Sequence, residues 1–210
     1  MSERYTRQLD IINQSELNFP IHVIGAGGIG SWTTLLIAKM GCPDIHVYDD
    51  DIVEEHNVAS QFFKQDQLNM NKVSALAINV IEQTGINIKP KQKIDEERIT
   101  EGLIIITIDS MSERIRLANI YKDIPLYIID GRMGGLQLEI YCAPSATYVA
   151  TLINPNEVSR ESCTARSICF NCAVIGGLIA NFVRLYAKRE LINQELTFGF
   201  NDLSLLKANL

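Results

Sequence analysis

Apolar residues in this chain fall into two kinds of run. Short uninterrupted blocks occur at Ile21–Ile24, at 103–108, at 125–129 and in the run that leads into Asp49-Asp50-Asp51. Such blocks predict strands covered by helices on both faces, because a parallel strand has no solvent side to mark with polar residues. Between them the apolar positions take helical spacing. A helix is predicted up to Met40, with Gly41 as its left-handed stop. Another runs from Asn71-Lys72 to about Gln83, with Val73, Leu76, Ala77, Val80 and Ile81 on one face, and Gly85 ends it. A third follows Ser112 to about Tyr121. Residues 86–94 read as a strand interrupted by Pro90, hence near a sheet edge.

The pattern changes after Asp130. Residues 136–142 and 147–153 alternate around Ala143-Pro144-Ser145-Ala146, which predicts an antiparallel hairpin. Residues 167–190 predict a long helix, apolar almost all round through Cys169, Ala173, Ile175, Leu178 and Phe182. Such a helix is buried in the core or at a subunit contact, and Gly176-Gly177 would let another helix come close. Residues 196–200 read as a last strand and 203–210 as a tail. Residues 1–17 read as a short amphipathic helix carrying Arg4, Tyr5, Arg7 and Gln8. These arginines suit either a phosphate or a solvated helix face.

The first strand runs into Gly25-Ala26-Gly27-Gly28-Ile29-Gly30, then a helix, then a strand ending in acid. This order is the fingerprint of a nucleotide-binding βαβ unit. Gly25 and Gly27 permit tight turns and close approach of main chain to a phosphate. The free N–H groups of the following helix face that phosphate. Asp49, 19 residues after Gly30, sits where a carboxylate accepts hydrogen bonds from ribose hydroxyls. The expected fold class is therefore α/β, a Rossmann-like doubly wound sheet, parallel in its first part and mixed with antiparallel strands towards the C-terminus. One domain is expected over 1–210: an arm at 1–17, a nucleotide-binding part at 18–130 and a mixed-sheet part at 131–210.

Asp109 closes the strand at 103–108, at the carboxyl end where α/β sheets bind ligands. It suits either a metal or the cap of the next helix. The polar stretch 52–71, with Asn57 and Gln61, is long for a connection, as functional loops often are.

Composition narrows the picture. Hydrophobic residues make up 47% and charged residues 21% of 210, as in ordinary globular chains. A net charge of −6 argues against nucleic acid as the main partner. The opening MSERYTRQLD has no apolar core for a secretory signal, and the apolar stretch 173–183 is too short for a bilayer and contains Asn181. A cytoplasmic protein without membrane or nucleic-acid partners is expected. Its five cysteines then read as thiols, ligands or nucleophiles.

Taken together, these motifs resemble the ThiF/MoeB family, the ubiquitin-activating-enzyme-like adenylyltransferases, over roughly Arg4 to Phe200. Arg4-Tyr5-Thr6-Arg7-Gln8 resembles the family's opening arm, and Gly25–Gly30 its glycine turn. Asp49-Asp50-Asp51 through Asn57 and Gln61 resembles its Asp-x-Asp…Asn-x-x-Arg-Gln segment. Lys72-Val73 resembles its phosphate-binding lysine. Asp109 with Arg114 resembles the segment whose aspartate binds magnesium. Cys163-Thr164 stands where many members carry a reactive cysteine in the crossover loop. The resemblance implies ATP and Mg2+ as cofactors, with Gly25, Gly27, Gly28, Gly30, Asp49, Asp51, Asn57, Gln61, Lys72 and Arg4 around the nucleotide. It gives Lys72, Asp109, Arg7 and Cys163 catalytic roles and Asp109 the magnesium. It implies a small ubiquitin-like or sulfur-carrier protein as partner, met through its C-terminus, and a homodimer in which the arm reaches the partner's nucleotide.

The sequence departs from the pattern at three places. Ser60 replaces the arginine of Asn-x-x-Arg-Gln, so either another basic group such as Arg132 substitutes or ATP chemistry is impaired. Only Cys169-x-x-Cys172 remains of the family's paired cysteines, so no structural zinc is expected. The chain has no room for the additional domains of eukaryotic ubiquitin-activating enzymes. His22, His46 and His56 show no metal spacing and read as structural or exposed. Two other functions compete: a nucleotide- or partner-binding pseudo-enzyme, favoured by Ser60, and a nicotinamide-dependent oxidoreductase, which would leave Lys72 and Asp109 unused.

Overall fold

The computed structural model describes residues 3–94, 98–152, 167–191 and 193–210. In chain order these form β1 (Ile21–Ile24), α1 (Gly28–Met40), β2 (Ile45–Tyr48), α2 (Glu55–Val58), α3 (Lys72–Thr84), β3 (Lys89–Lys91), β4 (Leu103–Ile106) and α4 (Met111–Tyr121). Then follow β5 (Tyr127–Gly134), β6 (Gln137–Pro144), α5 (Ser145–Tyr148), α6 (Cys169–Ala187), β7 (Gln194–Gly199) and β8 (Ser204–Asn209). The eight strands make one sheet in the order β3-β2-β1-β4-β5-β6-β7-β8. Pairing is parallel from β3 through β5 and antiparallel from β5 to β8. The doubly wound, first parallel and then mixed sheet is the one the sequence predicts, with Pro90 on the edge strand β3.

Alternation along each central strand divides the core in two. Val23, Val47, Ile105 and Ile129 face α1, α3 and α6. Ile24, Ile104, Ile106 and Ile128 face α4 and α5. Both faces are covered, so these strands read as unbroken apolar runs. Gly41 and Gly85 end α1 and α3 in the left-handed conformation, at φ 103° and 71°. Gly176 of α6 lies against α1, where an added Cβ would stand 3.0 Å from Trp32 Cβ. The predicted close helix approach is therefore made at Gly176.

Four expectations need correction. The hairpin joins β5 to β6, not 136–142 to 147–153. Strand β5 continues through Asp130-Gly131-Arg132, because Asp130 and Arg132 find charged partners beneath the sheet instead of forming a turn. Residues 145–152 are helical: Tyr148 and Leu152, four apart, both bury in the core cluster that contains α4. Residues 204–209 are a full strand, with Leu205 and Leu206 exposed at the sheet edge. The N-terminal segment holds two short 3-10 helices, Glu3–Gln8 and Gln14–Leu17, not one amphipathic helix.

Helix α6 runs 19 residues and, by length and composition, is the one helix among the described residues able to span a membrane. The apolar stretch 173–183 is the middle of this helix. In the structure its Cys172, Ile175, Ile179, Phe182 and Val183 are packed in the core against α1 and the sheet.

Candidate functional site

The sheet's winding reverses between β1 and β4, the strands that lead to α1 and α4. At that point in an open α/β sheet a crevice forms outside the carboxyl ends of the strands. Here it is a cavity of about 860 Å³, large enough for a nucleotide.

The glycine turn forms one wall. Gly25 has φ +104°, and Thr107, just past β4, clamps it: Thr107 Oγ1 donates within 2.9 Å of the Gly25 carbonyl, or to that of Ile24 at 3.0 Å. Gly30 lies behind the turn, and a Cβ there would stand 1.9 Å from the Gly25 carbonyl oxygen. Its role is to let α1 pack onto the turn, and it does not line the cavity. Gly27 does line it, and a Cβ there would meet nothing within 4 Å. That is the opening a phosphate needs beside the free N–H groups of the first turn of α1. Gly28 completes the wall, backed by Cys172, whose Sγ would lie 3.0 Å from an added Cβ.

Asp49 follows β2. Its Oδ2 accepts from the Ala26 N–H at 2.7 Å and its Oδ1 from the Asp51 N–H at 2.9 Å. Burial pushes its carboxyl above the usual range, against the pull of those bonds and of Lys72. Asp49, Asp50 and Asp51 bring their carboxylate oxygens within 4.8 Å of one another, but Asp49 is tied to the main chain and Asp51 to Lys72. Lys72 opens α3 with its ammonium 2.8 Å from Asp51 Oδ2. Asn57 is buried on α2, where its Oδ1 accepts from the Glu54 N–H at 2.9 Å. Gln61 follows, and its Oε1 is buried without a hydrogen-bond partner. An orphaned acceptor in a polar cavity awaits a donor from a ligand or water.

Asp109 enters from the carboxyl end of β4, exposed to the cavity. The cap of α4 is Ser110, whose Oγ accepts from Glu113 N–H at 3.2 Å. Of the two roles open to Asp109, capping is thus taken by its neighbour, and its carboxylate is left facing the cavity. Arg114 Nη1 donates to the Asp109 carbonyl at 3.4 Å. Arg114 itself is buried, with Nε 3.0 Å from Asp130 Oδ1. Asp130 also accepts from Arg132 Nε at 2.7 Å and from the Tyr148 hydroxyl at 2.8 Å. Burial alone would raise the Asp130 carboxyl, but the two guanidinium groups prevail and hold it below the usual range.

The cavity therefore gathers Gly25, Gly27, Gly28, Asp49, Asp51, Asn57, Gln61, Lys72 and Asp109 from the predicted set. The arm stands elsewhere. Arg4 donates from Nη1 to the Thr84 carbonyl at the far end of α3, and Arg7 is exposed; neither lines the cavity of its own chain. Arg132 is no substitute for the missing arginine at 60, since its guanidinium holds Asp130 and lies 3.9 Å over the Tyr141 ring. Ser60 is buried and its Oγ is 3.3 Å from that of Ser167, two residues before α6. Cys163 lies outside the described residues. Cys169 is exposed, whereas burial pushes the Cys172 thiol up to about 11 and the Cys142 thiol up to about 12.

Sequence reasoning missed Thr107, Lys93, Met133 and Ser167, which also line or brace the cavity. Thr107 carried a signal, as the one polar residue within the otherwise apolar run 103–108. The others come from loops and strand ends that no motif marks.

A glycine turn, a strand-end acid, a lysine and a second acid meet at one switch point of an α/β sheet. The ThiF family model matches residues 5–203, and the chain belongs to the ThiF family. It is 25% identical over 182 residues to ubiquitin-like modifier-activating enzyme 5 of Drosophila simulans, and 27% over 181 residues to that of Aedes aegypti. Each alignment covers 81% of this chain and 43% of the relative, so the chain spans less than half the length of these curated relatives. Among solved structures, E. coli MccB with AMPCPP and MccA superposes with a TM-score of 0.81 at 16% identity, covering 99% of this chain and 71% of that one. PaaA superposes at 0.76 with 18% identity, covering 99% and 72%. These likenesses show the fold.

Proposed function

We propose that the protein activates the C-terminal carboxylate of a small ubiquitin-like or sulfur-carrier protein by adenylation with ATP. The observation that carries this reading is the meeting of the open Gly27 turn, Asp49, Lys72 and Asp109 in one cavity at the sheet's switch point. Membership of the ThiF family and the likeness to ubiquitin-like modifier-activating enzyme 5 support it. So does the fold shared with MccB, whose structure was solved with AMPCPP and MccA.

In this reading the carboxylate oxygen attacks the α-phosphorus, a new P–O bond forms, and pyrophosphate leaves with the electron pair of the bond it loses. No proton need move, so the demand on the protein is alignment and neutralisation of charge. The N–H groups at Gly27 and Gly28 hold phosphate, Asp49 holds the ribose, and Lys72 faces the triphosphate. Asn57 and Gln61 offer amides to the same side. Six carboxylates line the cavity, Asp49, Asp50, Asp51, Glu54, Asp109 and Glu113, against Lys72, Lys93 and Arg114. Such a balance repels a bare triphosphate, which fits a nucleotide that arrives with a divalent cation. Asp109 is the residue to hold magnesium, which when bound supplies neutralisation of phosphate charge.

The reading extends to three features. Cys163, between Arg160 and Arg166 in the sequence, attacks the acyl adenylate as a thiolate, so that a thioester forms as the bond to AMP breaks and AMP leaves. Two copies form a symmetric dimer in which Arg4 or Arg7 of the arm serves the partner's nucleotide. The protein works in the cytoplasm. The deciding experiment is ATP–pyrophosphate exchange with the candidate carrier present and absent. Carrier-dependent exchange supports the reading, and ATP binding without exchange refutes it.

One observation favours a second reading. Ser60 stands where the family has arginine, and its hydroxyl is turned to Ser167. A pseudo-enzyme that binds nucleotide without turnover would show ATP affinity in calorimetry and no exchange with any carrier.

A further inference from the structure

Helix α6 opens on Cys169-Phe170-Asn171-Cys172. The two cysteines share its first turn but differ in setting. Cys172 is buried, as are Cys42 and Cys142, so Cys169 is the exposed thiol among the described residues. Burial pushes the Cys172 thiol up to about 11, and the neighbouring Cys169 adds to the rise. A metal does not explain the pair, because among the described residues no third His, Cys, Asp or Glu joins them as a ligand. A Cys-x-x-Cys pair beside a βαβ unit suits redox chemistry instead.

The helix holds the pair near bonding geometry. Cα atoms three residues apart in an α-helix lie about 5 Å from each other, within the roughly 4.4–6.8 Å that a disulfide bridges. Their Cβ atoms stand about 5–6 Å apart and must close to about 4 Å. A bond between them therefore tightens the first turn of α6 and draws the Cys172 sulfur towards Cys169.

That turn touches the nucleotide cavity at two points. Cys172 Sγ backs Gly28, where an added Cβ would stand 3.0 Å from the sulfur. Gly28 opens α1 and lines the cavity. Ser167, two residues before α6, also lines the cavity, and its Oγ lies 3.3 Å from that of Ser60. Drawing Cys172 off Gly28 leaves a void behind the glycine turn, where close packing now holds it. The same tightening pulls on the contact between Ser167 and Ser60.

We propose that Cys169 and Cys172 form a reversible thiol–disulfide pair, and that closing the disulfide weakens nucleotide binding by withdrawing the support behind Gly28. The inference goes beyond the adenylation reading and rests on it only in taking the cavity as the ATP site. The oxidant is a small disulfide such as oxidised glutathione. The Cys169 thiolate attacks one of its sulfurs, and one glutathione leaves as a thiolate. The Cys172 thiol gives up its proton and attacks the Cys169 sulfur, and the second glutathione leaves. Two electrons pass from protein to oxidant, and the two thiol protons end on the two glutathiones. The exposed cysteine reacts first, because the raised Cys172 thiol stays protonated and buried until then.

The test equilibrates the whole protein in glutathione buffers of graded potential, traps free thiols with an alkylating agent and digests with trypsin. Cleavage after Arg166 and Arg184 gives a peptide, 167–184, that holds Cys169 and Cys172 and excludes Cys163. Oxidation should make this peptide lighter by two hydrogens and leave it without label. Calorimetry should show the oxidised protein binding ATP about tenfold more weakly, with recovery on reduction. By reciprocity, ATP at saturation of both forms should favour the dithiol tenfold, raising the pair's midpoint potential by about 30 mV. Cys169→Ser should match the reduced wild type in ATP affinity and lose the response to oxidant. Glutathione held on Cys169 without closure, or a bond from Cys169 to Cys163, overturns the inference. So does a closed pair that leaves ATP affinity and midpoint unchanged. Failure of the fully reduced protein to bind ATP overturns the nucleotide reading and the link to ATP with it, while the peptide still decides whether the pair closes.

Discussion

Lys72 is nearly buried, yet its ammonium meets a carboxylate, Asp51, that is two-thirds exposed, at 2.8 Å. The lysine is held at the mouth of the nucleotide cavity by a partner that water already solvates. Loss of Asp51 leaves the nearly buried Lys72 ammonium to the other carboxylates of the cavity, whereas loss of Lys72 removes a cation from a cavity crowded with acids. Lys72→Ala should lower carrier-dependent pyrophosphate exchange by about 10²–10³, the usual effect of deleting one electrostatic stabiliser. Asp51→Asn should act mainly on ATP affinity. Exchange and calorimetry on both variants check the pair, and equal losses in both would refute the difference in role.

Gly27 and Gly30 are three residues apart and face opposite demands. An added Cβ at Gly30 would stand 1.9 Å from a carbonyl, while one at Gly27 would enter open space. Gly30→Ala should lower the melting temperature sharply or prevent folding. Gly27→Ala should melt within a degree or two of the wild type, because a surface-type change costs about 0.5 kcal/mol or less, and still weaken ATP binding. Thermal melts beside ATP calorimetry separate the two.

The glycine turn, the acids and Lys72 were legible because each rests on local chain geometry. A glycine must stand where the backbone turns, and an acid must follow a strand end. The arm was not legible in the same way. Arg4 satisfies a carbonyl at the end of α3, a choice made by tertiary packing and invisible to motif spacing. The β5–β6 hairpin was misplaced for a related reason. Asp130 and Arg132 look like turn residues until their partners Arg114 and Tyr148, from other elements, make them acceptable inside a strand. Residues 147–152 alternate on paper, but Tyr148 and Leu152 also satisfy a helix, and packing against α4 decides.

Ser60 offers a gain-of-function test. It lines the nucleotide cavity, and its hydroxyl lies 3.3 Å from that of Ser167. An arginine there would add one cation to the triphosphate side, worth about 1.5–3 kcal/mol for a charged hydrogen bond. Ser60→Arg should tighten ATP binding about tenfold or more. Unchanged affinity would mean that the nucleotide's phosphates lie away from residue 60.

The Arg114–Asp130–Arg132 group sets the acid limit of the fold. Asp130 is fully buried between two guanidinium groups, and its carboxyl is held below the usual range. A carboxyl with a lowered folded value contributes stability that is complete above its unfolded pKa of about 3.9 and is lost as pH falls through the folded value. The wild-type denaturation midpoint should therefore drop below about pH 4. Asp130→Asn leaves the buried Arg114 and the largely buried Arg132 facing one neutral amide. It should cost about 3–5 kcal/mol at neutral pH, the usual effect of removing one partner of a buried pair. Its midpoint should also fall less steeply below pH 4 than that of the wild type. Urea melts of both proteins from pH 2 to 7 read the cost and the slope together. Parallel curves would show that Asp130 does not carry the acid transition, and a small cost would show that water reaches the arginines when the carboxylate is gone.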